Sequence, residues 1–108
     1  MALTSARIVT PATARMGEII EIKTLARHPM ETGYRRDDRG RQIARDIIGT
    51  FRVTYNAVEI FQADLSQGIA ANPFIAFTTV AMETGDIIAT WTDLAGREIS
   101  AKARITIT

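Results

Sequence analysis

The last twelve residues, REISAKARITIT, set Ile99, Ala101, Ala103, Ile105 and Ile107 against Ser100, Lys102, Arg104 and Thr106 in strict alternation. A period of two sends successive side chains to opposite faces of a strand, so the segment can bury its apolar set only as a half-buried strand. The same pattern recurs upstream. ARIVT is a short first strand closed by Pro11, which has no N–H to extend a ladder. EIIEIKTLA places Ile20, Ile22 and Thr24 on one face and Ile19, Glu21, Lys23 and Leu25 on the other; the two charges assign the first set to the core. GTFRVTYN directs Phe51, Val53 and Tyr55 inward, and AVEIFQADL does the same for Val58, Ile60 and Leu65. FIAFTTVAM is a further strand, and IIATWTD puts Ile87, Ala89 and Trp91 on one face, with Trp91 expected in the core.

Turn signals separate these runs. Asn56 tolerates the left-handed conformation of a tight hairpin, whereas Ala57 does so less well, which leaves a slightly longer loop open there. Asn72-Pro73, ETGD and LAG punctuate the rest. About seven short strands at this spacing predict an all-β, antiparallel immunoglobulin-like β-sandwich, with a small barrel as the alternative. A chain of 108 residues, 46% hydrophobic, is expected to form one domain over 1–108, interrupted by a long loop at about 27–46.

That loop, RHPMETGYRRDDRGRQIAR, carries Arg27, Arg35, Arg36, Arg39, Arg41 and Arg45 against Glu31, Asp37 and Asp38, and it holds the only histidine, His28. The formal net charge of +1 is too small for a nucleic-acid binder, so the positive field is local. No run approaches the roughly 20 apolar residues that span a bilayer, and the N-terminal stretch lacks the apolar core of a secretory signal. By itself the chain reads as cytoplasmic, with no signal peptide of its own and no membrane or nucleic-acid partner.

Chemistry-bearing residues are scarce. There is no cysteine, hence no thiol nucleophile, thiolate ligand or disulfide. Ser5, Ser66 and Ser100 lie in no nucleophile-elbow context, and no glycine-rich phosphate motif occurs. His28 and Glu31 could offer two metal ligands, but Pro29 opposes a helix that would align them, and zinc requires three or four ligands. His28 is therefore expected to bond a loop carbonyl, and no catalytic residue, metal or cofactor is expected. Met30 and Tyr34 flank the start of the loop and are suited to pinning it against a sheet or a partner. The arginines can grip an anion through guanidinium forks, or form a solvated loop that Asp37 and Asp38 partly neutralise.

Three segments in this order, HPMETG at 28–33, ANPF at 71–74 and WTDLAG at 91–96, resemble the SoxZ family, and the similarity runs from about Ala6 to Ile107. The resemblance implies a non-catalytic immunoglobulin-like subunit. It would pair as a heterodimer with SoxY, whose C-terminal cysteine arm carries covalent sulfur intermediates in thiosulfate oxidation, and would touch other Sox enzymes transiently. It also implies a periplasmic location reached by export with the partner, which revises the cytoplasmic reading. Isolated, such a chain could form a homodimer through an exposed apolar face or sheet edge. The expected partner- or anion-docking residues are Arg27, His28, Met30, Glu31, Tyr34, Arg35, Arg36, Arg39 and Arg41. The alternative is a stand-alone β-sandwich module binding an anionic small molecule through the same loop. A weaker third reading is a small metal-dependent enzyme on His28 and Glu31.

Overall fold

The computed structural model describes residues 5–66 and 68–108. The alternating segments become β1 (Ser5–Val9), β3 (Ile19–Arg27), β4 (Ile48–Tyr55), β5 (Val58–Asp64), β6 (Phe74–Val80), β7 (Gly85–Asp93) and β8 (Glu98–Ile107). An eighth, β2 (Thr13–Ala14), follows Pro11 and runs parallel to β8, too short for periodicity to register. One sheet has the order β1-β3-β6 and the other β2-β8-β7-β4-β5. No ladder joins them, so the architecture is a sandwich and not the barrel that sequence left open.

The inward faces meet as the alternation requires. Ile20, Ile22 and Thr24 of β3 are buried, as are Phe51, Val53 and Tyr55 of β4 and Ile87, Ala89 and Trp91 of β7. Thr24 keeps its hydroxyl satisfied in the core by donating to the Ile75 carbonyl at 2.7 Å. Aromatic rings connect the layers: Trp91 lies 5.1 Å from Phe51, Phe51 meets Phe61 edge-on at 5.8 Å, and Phe61 stacks on Phe77 at 4.5 Å.

Val58 departs from expectation, being 65% exposed. Val53 pairs with Phe61 but Thr54 pairs with Glu59, so Ile60 is an extra residue in β5 and the ladder is bulged. One inserted residue reverses the parity of a strand. Val58 pairs with inward-facing Tyr55 and so shares its face, but as the first residue of β5 it stays exposed at the strand end, whereas the bulge lets both Ile60 and Phe61 pack against the core.

The hairpin between β4 and β5 needs no longer loop. Tyr55 pairs directly with Val58, and Asn56 and Ala57 have φ of 50° and 66°, the two left-handed residues of a type I′ turn. Asn56 is anchored as well, accepting from the Asp86 N–H at 3.2 Å and donating to the Thr84 carbonyl at 3.3 Å. Ala57 has no such compensation, and a Cβ in this conformation costs about 1–2 kcal/mol. Ala57→Gly should therefore raise stability by about 0.5–1 kcal/mol after the extra chain entropy of glycine is subtracted. A higher urea midpoint with unchanged slope is the expected reading; an unchanged or lower midpoint would contradict the strain.

Candidate functional site: a buried clasp beneath the arginine loop

Three separate segments converge at the end of the sandwich where β3 leaves its sheet. His28, the next residue after β3, is fully buried. Its backbone N–H donates to the Asn72 side-chain oxygen at 2.9 Å, and the Asn72 N–H donates back to the His28 carbonyl at 2.7 Å. The His28 ring then turns to the loop itself: Nδ1 accepts the Met30 N–H at 2.9 Å. With Nδ1 an acceptor, a neutral imidazole carries its proton on Nε2. Nε2 faces Asp46 Oδ1 at 3.4 Å without hydrogen-bond geometry.

Asp46 and Asp93 are bridged by one guanidinium, with Arg97 Nε donating to Asp93 Oδ2 at 2.7 Å and Nη2 to Asp46 Oδ1 at 3.3 Å. The other Asp93 oxygen accepts the Ala95 and Arg97 N–H groups at 3.0 and 2.9 Å. Burial pushes the Asp93 carboxyl up more than any other single influence. The backbone and side-chain bonds and charge of Arg97, with the Ala95 N–H, together outweigh it and hold the group below the usual carboxylate range.

Two non-glycine residues in this cluster, Met30 and Asn72, sit at φ 52°. Such residues persist only where surrounding contacts over-determine them. Asn72 is held by its reciprocal bonds to His28, and buried Met30 accepts the Ile48 N–H on its sulfur at 3.4 Å.

Ligand atoms of His28, Asp46 and Asp93 lie within 4.8 Å of one another, a spacing compatible with a cation. The donor set argues otherwise. Arg97 already occupies one oxygen of each carboxylate, and Nε2 points a proton, not a lone pair, at the cluster as long as Nδ1 receives the Met30 N–H. The pairing of His28 with Glu31 as ligands is corrected too: Glu31 is turned to Arg35, which donates to its two oxygens at 3.1 and 2.6 Å. These bonds hold the Glu31 carboxyl below its usual range.

Above the clasp the loop is a small ribbon. Glu31 and Asp46 exchange backbone bonds of 2.8 Å, the Ile43 N–H donates to the Arg35 carbonyl at 2.8 Å, and residues 37–40 close the tip. Asp37 Oδ1 receives the N–H groups of Arg39 and Arg41, both at 2.9 Å, and Gly40 takes φ 79°. Arg35 pairs with Glu31 and Arg41 with Asp37, while Arg36 donates to the Gly40 carbonyl. Among the described residues, Arg27, Arg36, Arg39 and Arg45 have no carboxylate partner, and Tyr34 is 78% exposed.

Of the residues expected at a docking surface, Arg27, Tyr34, Arg35, Arg36, Arg39 and Arg41 are exposed. Arg27 belongs to the end of β3 and not to the ribbon tip. His28 and Met30 are corrected: both are buried, because the ring and the thioether receive the N–H groups that shape the loop. His28 bonds an N–H and not the expected carbonyl. Asp46, Asp93 and Arg97 were not singled out by sequence reasoning, and Asn72 was read only as part of a turn. Asn72 lies in ANPF and Asp93 in WTDLAG, Asp46 and Arg97 in neither, and a clasp assembled from residues 28, 46, 72, 93 and 97 is invisible to local spacing.

The family model described as "Sulphur oxidation protein SoxZ" matches residues 8–104. No curated protein sequence matches the chain. Among solved structures, a superoxide reductase (neelaredoxin) from Ignicoccus hospitalis superposes with TM-score 0.75 at 14% identity, covering 98% of this chain and 82% of that one. The sulfur carrier protein SoxY from Chlorobium limicola f thiosulfatophilum gives 0.67 at 12% identity, with 97% and 80% covered. A CARDB domain from Pyrococcus furiosus, in complex with di-metal ions, gives 0.61 at 11%, with 96% and 86% covered. At these identities the likeness is one of fold.

Asp93→Asn should lower stability by about 1–3 kcal/mol at neutral pH, since a buried acceptor for charged and backbone donors is weakened. A depressed native carboxyl contributes stability that is complete above the unfolded value and is lost as pH falls through the native value. The gap between wild type and Asp93→Asn should therefore narrow below about pH 4. A gap that stays constant in urea titrations from pH 7 to pH 2.5 would contradict the assignment.

Proposed function

The chain belongs to the SoxZ family, and we propose that it is the non-catalytic subunit of a SoxYZ-type carrier in thiosulfate oxidation, working in the periplasm beside a SoxY-type partner. The observation that carries this reading is the family match over residues 8–104, joined to the meeting of the three motif segments in one clasp. Residues from HPMETG, ANPF and WTDLAG touch one another or a common neighbour, so the marks of the family are the parts that shape one loop. A supporting chemical argument is the absence of cysteine. Covalent sulfur carriage needs a thiolate, and the division of labour assigns it to the partner's cysteine arm.

Within this reading the ribbon over residues 31–46 serves encounter. Arg36 and Arg39 at its tip are exposed and have no carboxylate partner, whereas Arg35 and Arg41 are neutralised by Glu31 and Asp37. Free guanidinium groups steer anionic surfaces and sulfur-bearing anions at long range, an effect that salt removes. Among the described residues no helix is long and apolar enough to cross a membrane. A carrier exported together with its partner requires none.

Co-expression with a tagged SoxY-type subunit should recover this chain in stoichiometric amount; recovery of the tagged subunit alone would reject the carrier reading. Arg36→Glu combined with Arg39→Glu should slow association with that subunit or with Sox enzymes about tenfold at low ionic strength, with the difference fading toward 0.5 M salt. Equal association rates at low salt would remove the steering role. Saturable binding of thiosulfate or sulfate by the isolated chain would instead favour a stand-alone anion module.

A further inference from the structure

The two outer faces of the sandwich differ in a way that solvent alone does not explain. On the five-stranded sheet the outward side chains are mostly threonine and charge, and they satisfy one another: Arg104 with Asp86 at 3.2 Å, Arg52 with Glu59 at 3.2 Å, Thr90 with Ser100 at 2.9 Å and Thr92 with Glu98 at 3.3 Å. That is a face finished for water.

The β1-β3-β6 face is not. Its register sets Arg7 beside Leu25 and Leu25 beside Phe74, with Val9 beside Lys23 in the next row and Ile19 beside Val80 at the far end. Phe74 is 61% exposed, Val9 51% and Ile19 71%. The one carboxylate among the outward strand residues, Glu21, is 3.6 Å from Lys23. Arg7 and Arg27 have no carboxylate partner among the described residues, yet they flank exposed Phe74 and half-buried Leu25 from β1 and from the end of β3.

We propose that this face is the docking surface for a folded protein subunit that presents an apolar patch rimmed by carboxylates. Charge complementarity selects the occupant. A purely apolar cover would strip water from Arg7 and Arg27 and return no partner, at a cost of several kcal/mol per ion. A polyanion without apolar groups would satisfy the arginines and leave Phe74, Val9 and Ile19 uncovered. Exposed aromatic and arginine side chains side by side are the composition of interface centres, where a few residues carry most of the binding energy. The face is distinct from the ribbon tip, which acts on approach, whereas this surface holds the complex.

The inference rests on the SoxYZ-type reading only for the partner it is tested with. In calorimetric titrations of the intact chain with its SoxY-type subunit, Arg7→Glu combined with Arg27→Glu should weaken binding at least about 100-fold and Phe74→Ser about tenfold. Lys102→Glu, on the opposite face, should stay within about twofold of wild type. Wild type that binds, with the double reversal also within twofold, overturns the docking face and leaves the carrier reading intact. Wild type that binds no SoxY-type subunit overturns both. If Phe74→Ser loses its strand signal in circular dichroism, the double reversal decides, because Arg7 and Arg27 are exposed and form no side-chain hydrogen bond among the described residues.

Discussion

The reciprocal pair of hydrogen bonds between the His28 backbone and Asn72 holds together the end of the sandwich on which the loop is built. Those bonds join the exit of β3 to the entry of β6, and they hold His28 where its ring can receive the Met30 N–H. Met30 in turn accepts from Ile48, the first residue of β4. One buried imidazole thus links the segments on both sides of the loop, and its neighbours Asp46, Arg97 and Asp93 tie the returning strand to the β7–β8 turn. In a low-dielectric interior such a network is strong only when its members are satisfied together. The direct bonds at Met30 and Asn72 hold their strained backbone in place, while His28 Nε2 has no hydrogen-bond partner among the described residues.

The clasp also decides what the loop can present. Because its base is fixed from beneath, its charge is sorted in place: Arg35 and Arg41 are consumed by local acids, while Arg36 and Arg39 remain free at the tip. A guanidinium already bridging two carboxylates, as Arg97 is, works for the scaffold. The two sheet faces differ in a related way: Arg52 and Arg104 are paired on one, whereas Arg7 and Arg27 on the other have no carboxylate partner among the described residues. The family to which the chain belongs is one whose chemistry is proposed to be carried on a partner.

Much of the fold was legible because strand periodicity is a local property. Ile20, Ile22, Phe51, Val53, Ile87, Ala89 and Trp91 all occupy the core positions that alternation assigns them. It failed at Val58, which shares the inward face of Tyr55 but stays exposed at the start of β5, and at β2, where two residues cannot display a period. The Asn56-Ala57 turn was only half legible: asparagine announces a left-handed residue, alanine hides one, and the twist of the paired strands imposes it. The candidate site was legible as a charged, histidine-bearing loop but not in its inside and outside. Charge and residue type alone could not separate His28 and Met30, which support the loop, from Arg36 and Arg39, which project from it.

The sequence by itself determined an all-β chain of alternating strands, without thiol chemistry, and three motif segments that mark the family, because composition and nearest-neighbour spacing suffice for each. Tertiary structure decided that those motifs meet around a buried histidine, which arginines are free, and that one outer face is finished for water while the other is not. The physical reason is range. Alternation is written within a few residues, whereas a hydrogen bond from position 28 to 72, or an unpaired guanidinium on a particular face, exists only once distant segments have been brought together.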